Sequence, residues 1–515
     1  MRVGMAGLAG VATAALLAAA GMSSLGATQA AATACTAGTS TDFNGDSVVD
    51  TVIADPDATV GGAKGAGLVR VVLGGGKGVF EISQATSGMN ATPEAGDHFG
   101  FSRTSYDADG DGCSDLVVGA PHEDVTKDGA DLIDAGAMYV IHGTPTGIGT
   151  GSTIENYSQS GLDSSTTTEA YDWFGYAVKA GETSTGAPYL AVGVPGENVT
   201  SGGKTYADAG CVHYIQGSTK TTVNQDDTGV PGVVEAYDRF GYSLAGTNRY
   251  FAVGVPGEAI DNAKFAGGVT VFNHTIAGGV PTALVGIDQD ATGITGTAEA
   301  GDGFGTSVSM TSYRPSDQTY NSDVLLAVGT PGEDIGTVAD AGGAAVVRIQ
   351  PSGAYTEVTA IDAGIADVEG DPVAGDFLGQ RVTIANTDTS VVTSTNTVRL
   401  AVGIPGKDTG SVKDAGAVQI FRPLAAIGAA DKLLTRGSGL PGTATARDYN
   451  GIALTSGASN LYVGVPYSKA STTPKGVLYA ISWTDIDGTT STGTTTYQPG
   501  SGGLPDVGVA FGTVG

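Results

Sequence analysis

Apolar residues along this chain come in short bursts, not long stretches. Leu-Val-Val at 116–118, Tyr-Leu-Ala-Val at 189–192 and Leu-Ala-Val at 400–402 are typical, and turn residues bound each of them. Helical periodicity is nearly absent. Short apolar runs punctuated by Gly, Pro, Asp and Asn predict many short β-strands and an all-β fold.

The punctuation itself repeats. A Phe-Gly step appears as Phe99-Gly100, Phe174-Gly175, Phe240-Gly241 and Phe304-Gly305, then degrades to Phe377-Leu378-Gly379 and Tyr449-Asn450-Gly451. An acid precedes each: Asp97, Asp172, Asp238, Asp302, Asp376 and Asp448. A Gly-x-Pro step follows, ending at Pro121, Pro195, Pro256, Pro331, Pro405 and Pro466, with a weaker copy in Ala54-Asp55-Pro56. A small-residue step comes third, as in Asp134-Ala135-Gly136, Asp208-Ala209-Gly210, Asp340-Ala341-Gly342 and Asp414-Ala415-Gly416. Successive Phe-Gly glycines lie 64 to 75 residues apart. That is room for four strands and their loops, the content of one propeller blade.

Two loops carry the candidate metal chemistry. Asp107, Asp109 and Asp111 alternate, Asp115 follows four residues later, and Gly110 and Gly112 allow a tight wrap. Alternating carboxylates on a wrapped loop suit Ca²⁺, which takes six to eight oxygens in a flexible cage. The Cys113 carbonyl falls where such loops offer a backbone oxygen. Asp42, Asn44, Asp46 and Asp50 repeat the spacing, with Val48 in the carbonyl position and Ser47 in place of the second glycine. Strand-like flanks exclude an EF-hand, which joins two helices. The same segment of the other repeats is short or lacks the acids; 247–250 reads as a plain turn. Two Ca²⁺ sites are therefore expected.

Taken together, the three steps and the acidic loops resemble FG-GAP repeats, the units of the integrin α-chain N-terminal β-propeller and of secreted bacterial proteins. The resemblance covers nearly all of the chain after its leader. It implies a seven-bladed β-propeller over residues 35–515, with the Phe-Gly strand innermost and the calcium loops on the opposite face from Gly-x-Pro. It also implies calcium ligation by the two loops just named. The first blade lacks a Phe-Gly ahead of Asp42, and 507–512, containing Phe511-Gly512, is expected to supply its innermost strand. Such closure removes open sheet edges. The rival is that 36–41 serves instead.

Residues 1–34 read as a secretory signal peptide: Arg2 is the lone charge, an apolar stretch covers 11–20, and Ala-rich sites precede Cys35. The apolar run is too short to span a membrane. Cys35 raises a lipoprotein alternative, but Ala-Thr-Ala before it does not make a lipobox. The formal net charge of −29 argues against nucleic acid and anionic membranes as partners. A monomer released outside the cell is the expectation. Cys211 reads as a buried small residue. Cys35 and Cys113 fall on neighbouring blades and the same face of a propeller, so a disulfide is open to them in an oxidising compartment.

Catalytic motifs are scarce. His98, His122, His142, His213 and His274 lack H-E-x-x-H spacing, and there is no G-x-S-x-G. The family includes the propeller of a glycosylphosphatidylinositol-specific phospholipase D, whose catalytic zinc domain has no counterpart here. The loops after Gly-x-Pro carry Glu123, Glu197, Glu258, Glu333 and Asp408. They are candidates for a ligand face toward an extracellular protein or glycan, or else hold their own turns. A binding or adhesion module is the leading expectation. An extracellular hydrolase of esterase or phospholipase type, and a purely structural extracellular protein, are the alternatives.

Overall fold

A computed structural model describes residues 35–36, 41–164, 166–469, 475–488 and 493–514. The expected leader lies outside them, as do residues 37–40 of the rival strand. The described chain forms seven antiparallel sheets arranged as the blades of a β-propeller. The second blade shows the plan: Ser102–Tyr106, Asp115–Ala120, Ala137–Ile141 and Ile154–Tyr157 pair in sequence order. The next five blades begin with the innermost strands Ala177–Glu182, Ser243–Gly246, Ser307–Tyr313, Val382–Asn386 and Ala453–Ser456.

The three repeated sequence steps meet at the joints between blades, and steric fit explains each. The glycine of Gly-x-Pro lies against the Phe-Gly glycine of the following blade. A Cβ at Gly119 would stand 2.1 Å from the Gly175 carbonyl oxygen, and one at Gly193 would stand 2.0 Å from that of Gly241. The glycine of the small-residue step lies against the Phe residue. At Gly210, φ is +83°, and a Cβ would come within 2.4 Å of the Phe240 carbonyl oxygen. Gly210 also bridges Phe240 in parallel, as Gly267 does Phe304 and Gly342 does Leu378. A Cβ at these glycines would meet backbone, and the first blade's weaker copy, with Ala54 at the Gly-x-Pro position, is the exception.

The core is accordingly divided among the joints. One apolar cluster joins the second blade to the third through Val117, Met138 and Val140 against Val178, Leu190 and Val192. The five following joints, counting that between blades seven and one, have comparable clusters. The first and second blades share the cluster around Phe43, Val71, Phe99 and Tyr139. Innermost strands have no sheet partner on their channel side, and hydroxyls take that role. Ser307, Ser309 and Thr311 accept hydrogen bonds from the backbone N–H groups of Val382, Ile384 and Asn386 in the next blade.

The chain's last described residues close the ring. Gly512 donates to the Ala54 carbonyl, Ala54 bridges Thr513, and Phe511 bridges Gly476 in parallel. A Cβ at Gly464 would stand 1.9 Å from the Gly512 carbonyl oxygen, repeating the contact of the other joints. The pairing differs from expectation in extent: it falls at 512–513, whereas 507–510 is a loop. Asp55 holds that loop, accepting hydrogen bonds from the backbone N–H groups of Val509 and Ala510. Arg70 lies 3.6 Å from Asp55, with both side chains fully buried, and donates to the Val507 carbonyl. Elsewhere the position of Asp55 is filled by Ala120, Val194, Val255, Thr330, Ile404 or Val465. The acid is specific to the blade where the two ends of the ring meet.

Candidate metal loops and the two faces

The acidic loops precede the second strands of the first two blades, at one face of the ring. Their hydrogen-bond frames are nearly the same. Asp107 accepts from the N–H groups of Gly110 and Gly112, as Asp42 does from those of Asp46 and Ser47. Asp111 accepts from Cys113, and Asp46 from Val48. Asp115 accepts from Ala108 and Gly143, and Asp50 from Phe43 and Gly74. Backbone donors thus engage both oxygens of Asp42, Asp50, Asp107 and Asp115, and one oxygen each of Asp46 and Asp111. Ser47 occupies the left-handed region at φ +66°, where Gly112 stands in the other loop.

Carboxylate oxygens of Asp107, Asp109 and Asp111 lie within 4.8 Å of one another. Oxygens bound to one Ca²⁺ at 2.3–2.6 Å cannot be much further apart than about 5 Å, so this donor set meets the spacing. In the first loop the Asn44 Oδ1 is buried with no hydrogen-bond partner among the described residues. Each loop also has a basic neighbour. Lys77 Nζ is 2.5 Å from Asp46, and His142 Nδ1 is 3.2 Å from Asp115 and 3.5 Å from Asp109. Hydrogen bonding to Asp115 raises the His142 pKa. Cys35 and Cys113 form a disulfide with Cα atoms 5.2 Å apart, tying the chain ahead of the first loop to the second. Cys211 is a buried free thiol.

At the opposite face, the acids after Gly-x-Pro are half-buried and internally engaged. Glu123, Glu197, Glu258 and Glu333 accept hydrogen bonds from the buried amides of Gln84, Gln159, Gln225 and Gln289. Their backbone carbonyls accept from the third-step residues Gly136, Gly210, Gly267 and Gly342. The buried acids before Phe-Gly sit beside them. Burial, then Asp97, pushes Glu123 up to about 8, while Asp97 rises to about 6. Burial and the neighbouring glutamate push Asp172 and Asp238 to about 8, and Glu197 and Glu258 rise to about 7 through burial. In the sixth blade Lys407 replaces the glutamate and pairs with Asp376 at 3.0 Å. Asp408 accepts from the Asp414 N–H and pairs with Lys413.

Beside its exposed charges, this face presents most of the exposed large apolar side chains. Fifteen large apolar side chains are exposed among the described residues. Ten belong to loops at the Phe-Gly face: Ile133, Tyr171, Val233, Tyr237, Phe265, Val373, Phe377, Tyr467, Val507 and Val509. Nearer the channel an aromatic chain runs from His122 through Phe101, Tyr176 and Tyr242, with centroids 4.9 to 6.0 Å apart. The sequence did not mark these residues as a shared surface or as one aromatic chain. The one signal for them was an aromatic at a fixed offset from the Phe-Gly step, as at Tyr171 and Tyr237, or at Phe101, Tyr176 and Tyr242. His213 and His274 are buried in strands, where burial lowers both to about 4.

Residues 99–140 match the family model for the FG-GAP repeat. No curated protein matches the chain. Among solved structures it is similar to a proposed 6-phosphogluconolactonase of Bacteroides uniformis, at 12% identity and TM-score 0.42, covering 90% of this chain and 98% of that one. A second proposed 6-phosphogluconolactonase, from Bacteroides fragilis, matches at 12% identity and TM-score 0.40, covering 90% and 97%. Sqt1 of Saccharomyces cerevisiae matches at 11% identity and TM-score 0.35, covering 75% and 72%. Residues 99–140 thus carry an FG-GAP repeat, and the described chain folds as a seven-bladed β-propeller with a related frame at its blade joints.

Proposed function

We propose that this protein is a secreted, calcium-stabilised propeller that binds an extracellular protein or glycan through its Phe-Gly face. The observation that carries the reading is the unequal distribution of exposed apolar side chains, two-thirds of which lie on that face. Tyr171, Tyr237 and Tyr467 are 51%, 48% and 39% exposed, at loops between the strands of the blades. Exposed aromatics on a fixed frame suit both sugar rings and protein hot spots, because they offer large contact area at small entropic cost. Calcium would serve stability at the other face, by orienting the loops that precede the second strands of the first two blades. The signal-peptide pattern and the pairing of Cys35 with Cys113 agree with an oxidising compartment.

The test is a capture experiment from culture medium and on a glycan array, comparing the natural chain with Tyr171→Ser/Tyr237→Ser/Tyr467→Ser. Binding of a discrete ligand by the natural chain, lost in a triple variant of unchanged melting temperature, is expected. Equal binding by the two chains would remove this face from consideration.

A further inference from the structure

The central channel contains charges that the fold does not require. It is a cavity of about 920 Å³ bounded by the innermost strands, within the range of small-ligand sites. Arg103, Lys179 and Arg381 line it. Each departs from the repeat frame. The third residue after the Phe-Gly glycine is Arg103 in the second blade but Val178, Leu244, Val308, Val382 or Leu454 in the others. The fourth is Lys179 in the third blade and Thr104, Ala245, Ser309, Thr383 or Thr455 elsewhere. The second is Arg381 in the sixth blade and Ser102, Ala177, Ser243, Ser307 or Ala453 elsewhere.

None of the three makes an ion pair with a carboxylate among the described residues, although acids outnumber bases 53 to 24 in this chain. The acids that line the channel, Asp50, Asp107 and Glu182, belong to its calcium-loop end. Asp107 is four residues along the strand from Arg103, about 13 Å at the usual strand rise. Arg103 Nη1 is buried without a hydrogen-bond partner among the described residues. Burial first, and the positive field of Arg381 second, disfavour the charged form of Arg103, and burial does the same for Lys179. A buried guanidinium donor with neither partner nor counter-charge is a costly arrangement that an anion would relieve.

We propose that the channel is an oxyanion-binding site, in which Arg103, Arg381 and Lys179 hold a sulfate or phosphate group. Two guanidinium forks and an ammonium supply the directed donors that such groups take. Phe101, Tyr176 and Tyr242 line the same cavity and would contact any organic body that bears the group. This site is separate from the outer loops of the proposed ligand face, and its test is independent of them.

Calorimetry of the full chain at constant ionic strength, with chloride as control, would compare inorganic sulfate, inorganic phosphate and phenyl sulfate. Binding at or below millimolar Kd is expected, with tighter phenyl sulfate if the group arrives on an organic ligand and equal affinity if the free anion is the ligand. Arg103→Val, Arg381→Ser and Lys179→Thr adopt residues found at equivalent positions of this chain's own blades, so they suit the frame. Each arginine change should weaken binding at least tenfold without lowering the melting temperature measured in chloride. No anion binding by the natural chain, or binding unchanged in both arginine variants, overturns the proposal.

Discussion

Raising the pH from 6 to 9 should destabilise this propeller, and the carboxyl pairs behind the Gly-x-Pro loops are the reason. Asp172 with Glu197, Asp238 with Glu258, and Asp302 with Glu333 contain groups held near 7 to 8 by burial and mutual repulsion. Unfolded, the same groups titrate near 4. Between these values the folded state holds protons that the unfolded state has released, so stability is fully present below about pH 4 and is lost as pH rises through the folded values. One retained proton gives a slope of about 1.4 kcal/mol per pH unit. With one such proton counted per pair, two units and three pairs give about 8 kcal/mol. Partial solvent access and relaxation reduce that to roughly 2–5 kcal/mol. With an unfolding entropy of about 1 kcal/mol/K for a chain this long, the melting temperature should fall by about 2–5 °C.

The perturbation is Glu197→Gln/Glu258→Gln/Glu333→Gln. Each new amide carbonyl can still accept from Gln159, Gln225 or Gln289, so the hydrogen bond survives while the charge is lost. Scanning calorimetry at pH 6, 7, 8 and 9 should give a markedly flatter dependence for the variant. The Asp376–Lys407 pair shows how the same pocket is satisfied by opposite charges. A melting temperature of the natural chain that is level or rising from pH 6 to 9 would refute the reasoning, as would equal slopes for the two proteins.

Three further outcomes are expected. Calcium at 100 to 1,000 times Kd should stabilise the fold by about 3–4 kcal/mol per site; chelation should lower the melting temperature and Asp111→Ala should abolish one bound ion by equilibrium dialysis, so an unchanged melting temperature with chelator counts against the sites. Reducing the Cys35–Cys113 disulfide removes a cross-link spanning 78 residues, which loop entropy values at about 4–5 kcal/mol; denaturant unfolding with and without reductant measures it, and two reactive thiols from these residues in the unreduced protein would contradict the bond. Phe511→Ala should cost about 3–5 kcal/mol, because Phe511 is fully buried in the joint between the last and first blades; truncation after Gly500 should leave an open ring that associates, and a truncated chain as stable and monomeric as the full one would defeat the closure.

Much of the architecture was determined by local chemistry, which is why it could be read from sequence. Gly119, Gly175, Gly136 and their counterparts stand where backbone meets backbone, so the frame survives in six blades and is weakened in the first, where Ala54 stands in. Asp42, Asp46, Asp107 and Asp111 are close in sequence and hydrogen-bond within their own loops, so their spacing alone announced the acidic clusters. Tertiary structure decided what depends on distant partners. Whether Glu197 faces solvent or the interior is set by Gln159, 38 residues earlier, and neither residue signals the other. Asp55 meets Val509 and Ala510 across 454 and 455 residues, which confined closure to a shorter stretch than the sequence suggested. Arg103, Lys179 and Arg381 lie far apart in sequence and belong to no common motif. Only the ring, which turns every innermost strand toward one axis, brings the three charges into a single cavity.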